Sequence, residues 1–101
     1  MPNRVSLLID ILLDKTARED ERHDAAMDIG EFNDDRALNA LVRLASDPNE
    51  DNIVLDVCGE SIAEILVKRN ELKKDILEKL DPIAKRTADA FIKEQRPDWQ
   101  Y

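Results

Sequence analysis

Three observations predict an all-α fold, an α-α superhelix of about two and a half stacked helix pairs. Every apolar stripe along the 101 residues has the helical period, and the stripes recur at intervals of 30 to 35 residues. Only two glycines and one tyrosine are present, too few turn and strand formers for a β architecture.

The elements follow in chain order. Val5, Leu7, Leu8, Ile9, Ile11, Leu12 and Leu13 predict a helix over 3–14, apolar around most of its circumference. Ala25, Ala26, Ile29 and Phe32 give the stripe of a second helix over 17–31, and Leu38, Leu41, Val42 and Ala45 that of a third over 35–46. Asp47-Pro48-Asn49-Glu50 reads as a capping Asp, Pro at the first helical position and Glu three residues after the cap. It therefore opens a long fourth helix, 49–69, whose stripe is Val54, Val57, Cys58, Ile62, Ile65 and Leu66. Lys68-Arg69 closes it, cations at the negative dipole end. Leu72, Ile76, Leu77 and Leu80 mark a fifth helix over 71–80, and Asp81-Pro82 starts a sixth, 82–95, with Ala84, Ala88, Phe91 and Ile92. Short joints at Asn33-Asp34 and Asn70 pair the second helix with the third and the fourth with the fifth. One domain, 1–95, and a tail, 96–101, are expected.

The pattern repeats in register. Ala25, Cys58 and Ala88 align, as do Ile29, Ile62 and Ile92; Leu41, Val42 and Ala45 align with Ile76, Leu77 and Leu80. Asp47-Pro48 aligns with Asp81-Pro82. Units of this length made of two helices stack into solenoids, each burying its apolar face on the next.

The run Arg22-His23-Asp24-Ala25-Ala26-Met27-Asp28-Ile29-Gly30, continuing through Ala37-Leu38-Asn39-Ala40-Leu41 to Asp47-Pro48, resembles a HEAT repeat of the short phycobilisome-lyase type. The second unit departs from it, with Leu55 at the place of Arg22 and Gly59 at that of the second alanine. The resemblance implies a HEAT-like solenoid that binds protein. A small acidic domain of this type also looks like a bacterial toxin-immunity protein.

Charge narrows the partner. The chain carries 23 acids and 15 bases, a net −8. Residues 1–66 hold 16 acids and 6 bases, residues 67–101 hold 7 and 9. Such an asymmetry points to a charged interaction surface, and its sign argues against nucleic acid, whose phosphates call for clustered Lys and Arg. Asp24, Asp28 and Glu31 share one face of the second helix, and Asp56, Glu60 and Glu64 one face of the fourth. Stacked repeats would set the two rows side by side as an acidic ridge. These six residues are the expected contact set for a protein partner with a basic surface, such as a toxin nuclease.

Little else suggests chemistry. One Cys and one His rule out disulfide frameworks and Cys/His zinc sites within these residues. No catalytic residue, cofactor or metal is expected, and the chain reads as a non-enzymatic, cytoplasmic binding module. Cys58, on an apolar stripe, reads as a buried thiol, and His23 as a surface residue. The apolar run 5–13 is broken by Asp10 and too short to span a membrane; it reads as a helix buried under the first helix pair and the loop 14–18, with a homodimer or partner contact through 5–13 as the alternative. Two other roles stay open: a scaffold or regulatory subunit of a larger assembly, and a lyase-related protein that handles a chromophore. Trp99 and Tyr101 either cover the last repeat or anchor a partner.

Overall fold

The computed structural model describes residues 3–101, which form six α-helices and, among these residues, no strand. They are α1 (Arg4–Leu13), α2 (Glu19–Ile29), α3 (Asp35–Ala45), α4 (Asn52–Arg69), α5 (Lys74–Lys79) and α6 (Pro82–Gln95). The all-α helical repeat expected from the stripes is what the chain adopts.

The layering differs from the expected pairing in one respect. Backbones approach closely between α1 and α2 and between α3 and α4, whereas α5 touches α6 at only a few points and α2 with α3 and α4 with α5 approach less still. The clear hairpin units are thus α1–α2 and α3–α4, with the short α5 only loosely set against α6. In this arrangement α2, α4 and α6 form one layer and α1 contacts α3 in the other. The first helix, odd on sequence, is the first member of the first pair. Its Val5, Leu8 and Leu12 enter the core, while Leu7 and Ile11 stay exposed.

Helix α4 is the centre of the molecule. Ten of its residues are buried, from Val54 to Leu66, because α2, α3 and α6 all pack on it. Small residues set the spacing. The Ser61 hydroxyl donates to the Ala26 carbonyl at 2.7 Å and lies against Gly30, so α2 and α4 nearly touch. Gly59 lies under the Ala84 carbonyl of α6, where a Cβ would come within 2.2 Å of the oxygen. The aligned triads Ala25, Cys58, Ala88 and Ile29, Ile62, Ile92 are all buried, as a common register requires.

Two helix starts fall later than the caps suggest. The Asp47 carboxylate accepts from the Asn49 amide at 2.9 Å, closing a local turn instead of opening a helix. Asp51 is the true cap of α4, accepting from the Ile53 amide at 2.9 Å. Asn70 has φ 54°, with its own amide donating to the Val67 carbonyl and the Glu71 amide to that of Leu66, both at 3.0 Å. This double closure ends α4 and turns the chain, so α5 begins only at Lys74. Asp81-Pro82 does start α6 as expected, the Asp81 carboxylate accepting from Ile83 at 3.0 Å. The Asp81 amide donates to the Ala45 carbonyl at 2.8 Å, tying the end of α3 to the start of α6.

After α6 the tail folds back. Arg96 pairs with Asp98 and lies 4.5 Å from the centre of the Trp99 ring, and Trp99 packs half-buried on the core. The Tyr101 hydroxyl donates to Asp89 at 2.6 Å. The tail therefore covers α6, one of the two roles expected of it.

Candidate functional site

The outward side of the α2–α4–α6 layer carries the six carboxylates predicted to make contact. Adjacent packing of α2 and α4 brings the two rows onto neighbouring helices, and Glu64 lies beside Gly30 at the end of α2. The rows are not uniform. Asp28 is engaged by Arg4 of α1 at 3.3 Å and Glu64 by Lys68 at 3.1 Å. Asp56 accepts a hydrogen bond from the Thr87 hydroxyl of α6. Asp24, Glu31 and Glu60 are exposed, and among the described residues only His23, 3.6 Å from Asp24, comes within ion-pair reach of them. Of the six, these three have no Lys, Arg or hydroxyl partner among the described residues. His23 is half-buried rather than fully at the surface.

Two features of this face were not read from the sequence. Met27 and Ile53, on the same two helices, are 51% and 50% exposed, so the acids flank large apolar side chains. At the N-terminal end of the layer, a side-chain hydrogen bond with Asp51 holds the Glu19 carboxyl above the usual range, with burial and the Asp51 charge adding to it. The ridge thus extends beyond the six residues to the starts of both helices. The acidic excess before residue 67 was the available signal.

The buried charged cluster is elsewhere, inside the fold. Arg22 on α2 and Glu50 in the α3–α4 turn are 5% and 6% exposed. Their side chains meet through two hydrogen bonds of 2.9 Å each. Arg22 Nε also donates to the Leu12 carbonyl at the end of α1, at 3.0 Å, and Lys15 from the α1–α2 turn closes on the second Glu50 oxygen. The Asp51 amide donates to Glu50 at 3.0 Å. With each charge satisfied, hydrogen bonding by Arg22 outweighs burial and holds the Glu50 carboxyl down at about 2. The cluster locks α1, α2 and the start of α4 together; it is a structural clamp that leaves Glu50 no lone pair to offer a ligand. The sequence signal was Arg22 itself, three, four and seven residues before Ala25, Ala26 and Ile29 on the buried stripe.

Cys58 is fully buried, and burial, with Glu50 nearby, pushes its thiol up to about 12. It is not a nucleophile in the folded chain. Among the described residues no three His, Cys, Asp or Glu side chains are gathered so as to hold a metal ion, and no helix is long and apolar enough to cross a membrane.

Comparison with known proteins adds one relationship. Over 83 residues, 80% of its length, the chain is 31% identical to deoxyhypusine hydroxylase from Aspergillus oryzae. The chain spans about a quarter of that relative, 23% of its length. No protein-family model matches the chain, and no solved structure does.

This likeness corrects the functional expectation. A non-enzymatic module, and with it an immunity protein neutralising a basic toxin, is contradicted, because the relative is by name an enzyme. The physical reason for the error is plain. Counting His and Cys over 101 residues bears on those residues alone, and acidic complementarity to a nuclease is equally complementarity to any cationic group.

Proposed function

We propose that the chain is a HEAT-like helical-repeat part of a hydroxylase related to deoxyhypusine hydroxylase, and that its acidic outer face seats a basic protein substrate or partner. Supporting the first half is the 31% identity, which runs through 80% of the chain and so through most of its helices. Supporting the second is the placement of Asp24, Glu31 and Glu60 on adjacent helices, exposed beside Met27 and Ile53. Asp28, Asp56 and Glu64 complete the contact set, each available once its internal partner exchanges for the incoming cation. Unpaired surface carboxylates in such numbers repel one another and gain most from a cationic ligand.

Hydroxylation of deoxyhypusine is the direct test. A longer protein that contains the chain is incubated with a deoxyhypusine-bearing substrate, dioxygen and a two-electron reductant, the second oxygen leaving as water, and the product is weighed by mass spectrometry; the chain alone is tested for binding of the same substrate. Gain of one oxygen, reduced when Asp24, Glu31 and Glu60 become amides, is the expected result. Absence of both conversion and substrate binding in every form overturns the proposal.

A further inference from the structure

Among the described residues, α5 is held on the fold by apolar side chains alone. We propose that residues 72–80 form a strap that lifts away as a unit while the other five helices stay packed. The inference is independent of the hydroxylase reading. It starts from a contrast between α3 and α5, whose stripes align in the sequence repeat. Helix α3 has 11 residues and buries Ala37, Leu38, Ala40, Leu41, Leu44 and Ala45. The Asp34 carboxylate caps it, accepting from the Arg36 amide at 2.8 Å, and Arg69 of α4 pairs with its Asp35 at 2.8 Å. Helix α5 has 6 residues, buries only Leu77 and has no side chain capping its start.

Polar contacts do not compensate. Lys73, Lys74, Asp75, Glu78 and Lys79 all lie in this segment, yet among the described residues none of them bonds to another element; Lys73 pairs with Glu71 beside it. The Leu77 amide reaches the Lys73 carbonyl at 3.3 Å and the Leu80 amide that of Leu77 at 3.4 Å, both long for such bonds. What holds the segment is Leu77 and Leu80, which are buried, with Leu72 and Ile76 half-buried against the core. Set free, the segment regains backbone entropy comparable with the burial that these side chains lose.

Both ends of the strap are fixed. Before it, the left-handed turn at Asn70 is closed by its two backbone hydrogen bonds, and Arg96 donates to the Asn70 side chain at 2.5 Å. After it, the Asp81 amide holds the Ala45 carbonyl at 2.8 Å while the carboxylate caps α6. Opening therefore stops at these two points and does not spread into α4 or α6. A weakly anchored segment between firm ones opens locally, at less cost than global unfolding. The lifted strap presents Leu72, Ile76, Leu77 and Leu80, spaced for one face of a helix, so the fold offers apolar surface without unfolding.

Thiol labelling and hydrogen exchange together test this. Leu77→Cys and Leu41→Cys place a thiol at aligned positions of α5 and α3, both fully buried, and Cys58 reports global unfolding in each chain. The thiol introduced at position 77 is expected to react without denaturant, about a hundredfold or more faster than Cys58, at a rate that low urea barely changes. The one introduced at position 41 should stay protected and react together with Cys58 as urea unfolds the chain. In the unsubstituted protein the amides of α5 should exchange faster than those of α4, again with little dependence on urea, and this decides the matter if either variant fails to fold. Labelling at position 77 that waits for Cys58 overturns the proposal, as do amides of α5 and α4 that exchange together. Equal labelling at positions 41 and 77 overturns it too, since loss of any buried leucine would then loosen the core.

Discussion

The Arg22 guanidinium grips the Glu50 carboxylate through two hydrogen bonds of 2.9 Å, almost out of contact with water. In the next repeat the corresponding positions are Leu55 and Ala84, both fully buried and apolar. One fold therefore solves the same junction twice, once with an ion pair and once with aliphatic packing. A buried pair whose removal as a unit is tolerated but whose halves are not is what the desolvation cost of charges predicts.

Single substitutions should be severe and the double one mild. Arg22→Leu or Glu50→Ala alone leaves a buried charge unpaired, and each is expected to cost about 3–5 kcal/mol of stability. Arg22→Leu/Glu50→Ala together should cost less than either alone. Urea unfolding of the four chains, read as a double-mutant cycle, checks this. Additive losses would show that the two residues act independently.

Acid should unfold the protein partly through Glu50. Its folded pKa is lowered to about 2, from roughly 4.3 in an unfolded chain. A depressed carboxylate contributes stability that is full above the unfolded value and is lost as pH falls toward the folded one. Stability is thus expected to decline between about pH 5 and pH 2. In Glu50→Gln that decline should be shallower, from a lower starting point. Melting temperatures measured across this range decide it, and parallel curves for the two proteins would contradict the assignment.

Gly59 should not tolerate a methyl group. An added Cβ would stand 2.2 Å from the Ala84 carbonyl oxygen, a backbone atom that no rotamer change can move away. Gly59→Ala is expected to push α6 off α4 and cost about 1–3 kcal/mol or more, as overpacking does. Gly30→Ala meets the Ser61 hydroxyl at 2.9 Å and should be milder, because that side chain can rotate at the expense of its bond to Ala26. Thermal melts rank the two.

Cys58 should be silent in the folded state. With its thiol pushed up to about 12 and no exposed surface, it is expected to resist thiol-reactive dyes at neutral pH until the protein unfolds. Labelling kinetics in rising urea should therefore follow unfolding, and rapid labelling in its absence would contradict the burial.

Local chemistry made the helices legible: period, proline and the Asp81 cap give their existence, and the repeat gives their register. What could not be read was settled by contacts between distant residues. Glu50 looks like the third residue of a capping box, yet Arg22, 28 residues earlier, draws it inward and the helix starts after it. Asn70 looks like a joint, but its left-handed turn consumes the residues that should have begun α5. Pairing of α1 with α2 was hidden because apolar residues surround α1, so no stripe declares its partner. For the candidate site, the acid rows were visible as spacing. That Arg4, Thr87 and Lys68 would occupy half of them was not, since only packing brings Arg4 and Thr87 within reach. The enzyme relationship lay outside the physical chemistry of these residues altogether.

Binding of a deoxyhypusine-bearing substrate over a range of salt tests most directly the proposed seating of a cationic substrate on the acidic face. Affinity is predicted to fall steeply as salt rises, and to drop at least tenfold at low salt in Asp24→Asn/Glu31→Gln/Glu60→Gln, about 1.4 kcal/mol or more, with the melting temperature unchanged. Binding that ignores both salt and these three substitutions would contradict it.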